Sequence, residues 1–135
     1  MLARIRAMFA RPSPPSPSTG AATMPPKIDI LDARDVQARL ARGEIDLVDV
    51  REENEWAAGR IPGARLQPLS RFDPEAAKPA PGKLLVLHCR SGVRCGKAAE
   101  QMLAAGYAAP FGRLAGGILA WAEAGLPVDT GKASS

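Results

Sequence analysis

The chain has 135 residues, which is enough for one domain and short for two. Hydrophobic residues make up 46% of the chain and charged residues 24%, proportions that are usual for globular proteins. The formal net charge of +4 is concentrated near the N-terminus, because residues 1–24 contain three arginines and no acidic residue. The rest of the chain is close to neutral and has no basic stripe with interleaved aromatic residues, which argues against nucleic acid as a partner.

Residues 1–26 are rich in proline and serine, and this composition predicts a disordered N-terminal tail. Arginines interrupt the apolar stretch that a secretory signal requires, and no apolar run approaches the length of a transmembrane helix. We therefore expect a cytoplasmic protein without an integral membrane segment. A mitochondrial location is the alternative, because transit peptides are also rich in arginine and serine and poor in acidic residues. Met24 is a second candidate for the start of the native protein.

From residue 27 onward, segments typical of strands and helices alternate. Asp32 is a predicted helix N-cap, and Gly43 is the predicted stop of the same helix. This alternation favours an α/β fold, in which a mostly parallel sheet carries helices on both faces. Strands are predicted at 27–30, 45–50, around residue 66, at 84–88 and at 110–114. Helices are predicted at 33–42, 52–58, 95–105 and 117–124, with at most one helical turn between 67 and 82.

The strongest functional signal lies between the predicted strand at 84–88 and the predicted helix at 95–105. Cys89 follows the strand directly. Backbone N–H groups at a loop that opens a helix favour negative charge, and arginines add positive charge. Both effects lower the pKa of a cysteine from about 8.5 toward neutral. We therefore expect Cys89 to be a nucleophilic thiolate and the residues after it to bind an anionic substrate. These loop residues are Arg90, Ser91, Gly92, Val93 and Arg94.

The chain contains two cysteines and one histidine, too few for a disulfide framework or a zinc site. We therefore predict no metal and a reducing compartment. Cys95 has two interpretations, a resolving thiol for Cys89 or a small residue that starts the helix. His88 is interpreted as structural, because neighbouring side chains of a strand point to opposite faces. Asp49 and Arg51 end another strand and are expected to pair and support the loops.

Four segments of the chain form a pattern when taken in order: Leu-Val-Asp-Val-Arg-Glu at 47–52, Glu-Trp at 55–56 with Gly-Arg-Ile-Pro-Gly-Ala at 59–64, the Cys89 loop, and Leu-Ala-Gly-Gly-Ile-Leu-Ala-Trp at 114–121. Together they resemble the rhodanese (sulfurtransferase) homology domain of the single-domain type. The resemblance covers residues 27–128 and leaves 129–135 as a C-terminal tail. It implies a three-layer sandwich around a central, mostly parallel sheet, and a cysteine at position 89 that carries a persulfide.

The activity implied by the resemblance is sulfur transfer. Sulfane sulfur would pass from an anionic donor such as thiosulfate to Cys89, and then to cyanide, a thiol or a protein thiol, without metal or organic cofactor. Four residues separate Cys89 from Arg94, whereas cysteine phosphatases of similar fold use five, which favours a sulfur atom over a phosphoryl group. The alternatives are a persulfide-carrying or redox-sensing module without turnover, and a small-anion phosphatase or arsenate reductase.

Overall fold

The computed structural model describes residues 26–130, in which five strands form a single sheet. The strands are β1 (Ile28–Leu31), β2 (Ile45–Asp49), β3 (Arg65–Leu66), β4 (Leu84–His88) and β5 (Phe111–Leu114). All neighbouring strands are parallel, and their order across the sheet is β1-β5-β4-β2-β3. The helices are α1 (Ala33–Ala41), α2 (Glu53–Ala58), α3 (Pro74–Ala77), α4 (Val93–Ala104) and α5 (Gly117–Glu123), and a 3-10 turn spans Leu69–Arg71.

The two faces of the sheet are covered by different helices. Alternate residues of β4 enter two separate cores, with Leu85 and Leu87 on one face and Val86 on the other, as the two-residue period of a strand requires. Helix α4 covers the first face through residues such as Met102, and helices α1 and α5 cover the second. The predicted three-layer α/β sandwich with a parallel sheet is therefore confirmed.

Local sequence signals, such as capping residues and glycines, determine where several helices begin and end. Asp32 caps α1 by accepting a hydrogen bond from the Asp35 N–H at 2.8 Å, and Gly43 follows the helix with φ +72°. Helix α4 begins at Val93, two residues before the prediction. The reason is that Gly92 adopts φ +110°, a conformation open to glycine that turns the chain directly into the helix. The segment 67–82 contains two short helical elements, where the sequence predicts at most one turn.

The chain after α5 packs back on the domain. The Trp121 indole N–H donates to the Pro127 carbonyl at 2.7 Å. Arg60 and Asp129 exchange two backbone hydrogen bonds, at 2.8 and 2.7 Å. Asp129, the first residue of the predicted C-terminal tail, therefore still pairs with the domain. The predicted N-terminal tail and the rest of the C-terminal tail lie outside the described residues, apart from positions 26 and 130. Across 26–130, no helix has the length and apolar character needed to cross a membrane.

Candidate active site

Cys89 lies at the edge of the sheet where the parallel strands end. It follows β4, which lies between β2 and β5 in the middle of the sheet. Ligands of open α/β sheets bind beyond the carboxyl ends of strands, where loops from neighbouring strands meet. Asp49, at the end of β2, and the N-terminus of α5, which follows β5, lie at the same edge. The site is therefore built where the fold brings several loops together.

The Cys89 sulfur is held as a thiolate by hydrogen-bond donors. The Gly92 N–H donates to Sγ at 3.0 Å, and the N–H groups of Arg94 and Cys95 also bond to the sulfur. The thiol of Cys95 is the strongest donor, and together these groups lower the pKa of Cys89 to about 5 against the opposing effect of burial. The thiolate is the nucleophilic form of cysteine, so the lowered pKa makes Cys89 the candidate nucleophile of this site.

Cys95 lies in the first turn of α4 beside Cys89 and has the opposite electrostatic environment. Its hydrogen bond to Cys89, its burial and the neighbouring negative charge all raise the pKa of the Cys95 thiol far above its ordinary value. Both cysteines are free and buried. The local environment therefore favours the charged form of Cys89 and the protonated form of Cys95. The sequence analysis offered two interpretations of Cys95, a resolving thiol for Cys89 or a small residue that starts the helix. A resolving thiol must lie close to Cys89, and the position of Cys95 meets that requirement.

The Cys89 loop is tied to the N-terminus of α5. The Ile118 N–H donates to the Cys89 carbonyl at 2.8 Å, and the Leu119 N–H donates to the Arg90 carbonyl at 3.1 Å. Gly117 lies directly against these two carbonyl oxygens at φ +60°, and a Cβ atom at this position would overlap them. Two consecutive glycines at the start of α5, Gly116 and Gly117, thus allow the helix to approach the loop closely.

Arg113, on β5, is a site residue that the sequence analysis did not identify. Its Nη2 donates to the Gly92 carbonyl at 2.9 Å, and its positive charge opposes the raised pKa of the Cys95 thiol. Its Nε is buried without a hydrogen-bond partner in the described part of the chain. The sequence signal for this role is an arginine inside a strand of four residues, β5, which adjoins β4. A charge inside a sheet needs partners, so such an arginine is expected to bond to neighbouring segments.

The two arginines of the loop are placed differently. Arg94 forms a bidentate ion pair with Glu55, with N···O distances of 2.6 and 2.8 Å. This pair lowers the pKa of the Glu55 carboxyl to about 2. Arg90 is exposed, and its guanidinium makes no hydrogen bond or ion pair within residues 26–130. Of the two, Arg90 is the guanidinium that is free to meet an incoming anion.

Asp49 and Arg51 form a buried ion pair beneath the site. Arg51 donates to the Asp49 carboxylate from Nε at 3.0 Å and from Nη2 at 2.7 Å, and its Nη2 also reaches the Gly59 carbonyl at 2.6 Å. The pair joins β2 to the chain that leaves α2. His88 is buried next to it, 3.6 Å from the Asp49 carboxylate, and burial lowers the pKa of the imidazole. His88 is therefore a neutral core residue, and it faces Asp49.

Two clefts flank the loop and have apolar walls. One cleft has a volume of about 340 Å³, and its lining includes Arg90, Leu119 and Glu55, the partner of Arg94. The other, of about 390 Å³, is lined by Ile30, Val93 and further residues of the loop and of the segment before α5. The exposed large hydrophobic residues of the described chain, Ile30, Val93 and Leu119, all line these two clefts. Within the described residues, no three His, Cys, Asp or Glu side chains converge as a metal site.

Comparison with known proteins shows which family the site belongs to. The sequence profile of the rhodanese-like domain matches residues 27–124. The chain is therefore a member of the rhodanese-like domain family, as its motifs predicted.

Individual relatives agree with this assignment. The chain is 34% identical over 102 residues to a sulfurtransferase of Allochromatium vinosum, covering 75% of this chain and 94% of that protein. It is 46% identical over 81 residues to an uncharacterized protein of Synechocystis, covering 60% of this chain but only 45% of the length of that relative. Its fold is similar to that of a thiosulfate sulfurtransferase from Pseudomonas aeruginosa, with a TM-score of 0.67 and 28% identity over 78% of this chain and 20% of that one. The family and these names support a place among the transferases.

Proposed function

We propose that the protein is a sulfurtransferase that moves sulfane sulfur from an anionic donor such as thiosulfate to a thiophilic acceptor through a persulfide on Cys89. The observation that carries the proposal is the Cys89 thiolate, whose Sγ accepts the Gly92 N–H at 3.0 Å at the start of α4. The similarity to proteins named sulfurtransferases supports the same chemistry.

The first half-reaction loads the cysteine. The Cys89 thiolate attacks the outer sulfur of thiosulfate, the sulfur–sulfur bond of the donor breaks, and sulfite leaves with the electron pair. This is covalent nucleophilic catalysis in two steps. The persulfide is itself an anion, so the N–H groups that stabilise the resting thiolate also stabilise the intermediate. Arg90, exposed and unpaired within the described chain, would attract the donor.

The second half-reaction transfers the outer sulfur to an acceptor. Cyanide or a thiolate attacks this sulfur, and Cys89 leaves as the thiolate with which the cycle began. The apolar clefts on both sides of the loop support a thiol of low charge or a protein thiol as the natural acceptor. Neither half-reaction requires a metal or an organic cofactor. We place this activity in a reducing compartment, most simply the cytoplasm, because both cysteines are free.

Thiocyanate formation from thiosulfate and cyanide tests the proposal, with the intact protein and Cys89→Ser compared side by side. We expect turnover in the intact protein, none in the variant, and parallel double-reciprocal lines, which two separate half-reactions require. Intersecting lines, or turnover in Cys89→Ser, would contradict the persulfide mechanism. Hydrolysis of p-nitrophenyl phosphate that depends on Cys89 would favour the small-anion phosphatase instead.

A second candidate is a persulfide carrier or redox-sensing module without turnover. The observation that favours it is a second free and buried cysteine, Cys95, in the first turn of the helix that follows the Cys89 loop. A protein that accepts one sulfur from thiosulfate but does not release it to cyanide would support this candidate.

A further inference from the structure

Cys95 is a buried thiol that forms no covalent bond in the proposed sulfur transfer. It is fully buried and belongs to the same core cluster as Cys89. Gly92 precedes α4 and donates its N–H to the Cys89 sulfur at 3.0 Å, and Cys95 lies in the first turn of the same helix, so the two cysteine side chains are neighbours at the start of α4. An acceptor for the persulfide is therefore already present inside the protein.

The charge on Cys89 decides when Cys95 can react. In the resting protein, the hydrogen bond to the Cys89 thiolate and its negative charge hold the proton on Cys95. Loading with sulfur moves that charge to the outer sulfur atom, and Sγ of Cys89 becomes a neutral bridging atom. The interaction that kept Cys95 protonated is then removed.

Once Cys89 carries the persulfide, the guanidinium of Arg113 favours the thiolate form of Cys95. This guanidinium is positioned by the Gly92 carbonyl, to which Nη2 donates at 2.9 Å, and its charge lowers the pKa of the Cys95 thiol. An added Cβ at Gly96, the residue after Cys95, would lie 3.6 Å from Nη2, so the guanidinium is close to the first turn of α4. A positive charge beside a buried thiol stabilises the thiolate.

We propose that Cys95 resolves the Cys89 persulfide, so that the protein releases hydrosulfide and forms a Cys89–Cys95 disulfide. This rests on the proposed function, which supplies the persulfide. The Cys95 sulfur attacks Sγ of Cys89, the bond from Sγ to the outer sulfur breaks, and the Cys89–Cys95 bond forms. The outer sulfur leaves with the electron pair and takes the Cys95 proton, as hydrosulfide. The two cysteines are oxidised and the outer sulfur is reduced, and an external dithiol then restores both thiols.

A single turnover without any added acceptor tests the inference. The intact protein and Cys95→Ser are reduced, freed of reductant under anaerobic conditions, and mixed with one equivalent of thiosulfate. Sulfite, sulfide and intact mass are measured over time. Cys95→Ser is the matched variant, because its hydroxyl can still donate to Cys89 but cannot form a disulfide.

In the intact protein we expect sulfite, then an equal amount of sulfide, and a final mass that is lower by two hydrogen atoms. In Cys95→Ser, whatever its rate of loading, we expect sulfite up to one equivalent, no sulfide, and a mass that stays higher by one sulfur atom. Sulfite with a stable persulfide in both proteins would overturn the role of Cys95 and leave the proposed function intact. Absence of sulfite from both proteins would overturn the proposed function and this inference together. A Cys95→Ala variant that matches Cys95→Ser excludes an effect of the new hydroxyl.

Discussion

Arg94 and Glu55 form a two-pronged ion pair, with N···O distances of 2.6 and 2.8 Å, that joins the first turn of α4 to α2. The two residues are 39 positions apart in the sequence. The pair therefore ties the end of the Cys89 loop to a distant part of the chain. It also means that the second arginine of the loop is a structural residue in the free protein.

Glu55→Gln should therefore destabilise the protein at neutral pH by about 1–2 kcal/mol, the usual range for a hydrogen-bonded, partly buried ion pair. The pKa of Glu55 is lowered to about 2 in the folded protein. The stability that the pair contributes is therefore fully present above the unfolded pKa of about 4.3, and it is lost as the pH falls toward 2.

Urea unfolding of the intact protein and Glu55→Gln at neutral pH and near pH 3 measures this effect. The difference between the two proteins should shrink at the lower pH. Glu53→Gln is the matched control, because its pair with Arg71 is exposed on both sides and exposed pairs contribute little. An equal loss in both variants would contradict a special role for the Arg94 pair.

Arg90→Gln should raise the KM for thiosulfate about fivefold, which corresponds to about 1 kcal/mol for one charge-assisted contact, with a smaller effect on kcat. The reason is that Arg90 is exposed beside the Cys89 loop and has no partner within the described residues. Steady-state thiocyanate formation gives both constants. Lys97→Gln removes the same charge one turn into α4, and an equal rise in KM there would show that only the overall charge matters.

Cys95→Ala should raise the pKa of Cys89 by about one unit or more, because a hydrogen bond to the charged form favours that form and the Cys95 thiol is the strongest such donor. The intact protein should be alkylated by iodoacetamide with a midpoint near the pKa of about 5. The midpoint should move upward in Cys95→Ala and stay close to the intact value in Cys95→Ser, which keeps a donor. The same midpoint in all three proteins would refute the hydrogen bond.

Asp49→Asn should destabilise the protein by about 3–5 kcal/mol, because it leaves the buried guanidinium of Arg51 without its counter-charge. The side chains of this pair are 0% and 6% exposed. Thermal or urea unfolding measures the loss. Glu44→Gln breaks an exposed pair with Arg42 and should change stability little, so comparable losses in the two variants would contradict the importance of burial.

Gly117→Ala should destabilise the protein by at least about 2 kcal/mol and abolish thiosulfate turnover, because the added methyl group overlaps the carbonyl oxygens of Cys89 and Arg90. Gly43→Ala has a similar positive φ but no atom within 4 Å of the added Cβ. This control should show only the smaller cost of a left-handed alanine, about 1 kcal/mol. If both variants keep full activity, the close approach of α5 does not shape the loop.

The elements that were predicted well are those whose signals are local. The branched apolar run at 84–88 matches β4 at both ends, and Asp32 with Gly43 bounds α1 as expected. The parallel sheet followed from the alternation of these elements. The start of α4 was predicted two residues late, because the left-handed Gly92 allows the helix to begin inside the loop.

The prediction of a site at Cys89 needed only the sequence, because a strand, a short loop with arginine and glycine, and a helix are consecutive in the chain. The tertiary structure determined which partner, if any, each arginine around the site has within the described residues. Arg94 is committed to Glu55, Arg113 is brought under the loop, and Arg90 is left exposed. These outcomes depend on contacts between distant segments, which form only when β2, β4 and β5 align in one sheet. No local sequence pattern predicts these contacts, because the partners of the arginines lie in distant segments of the chain.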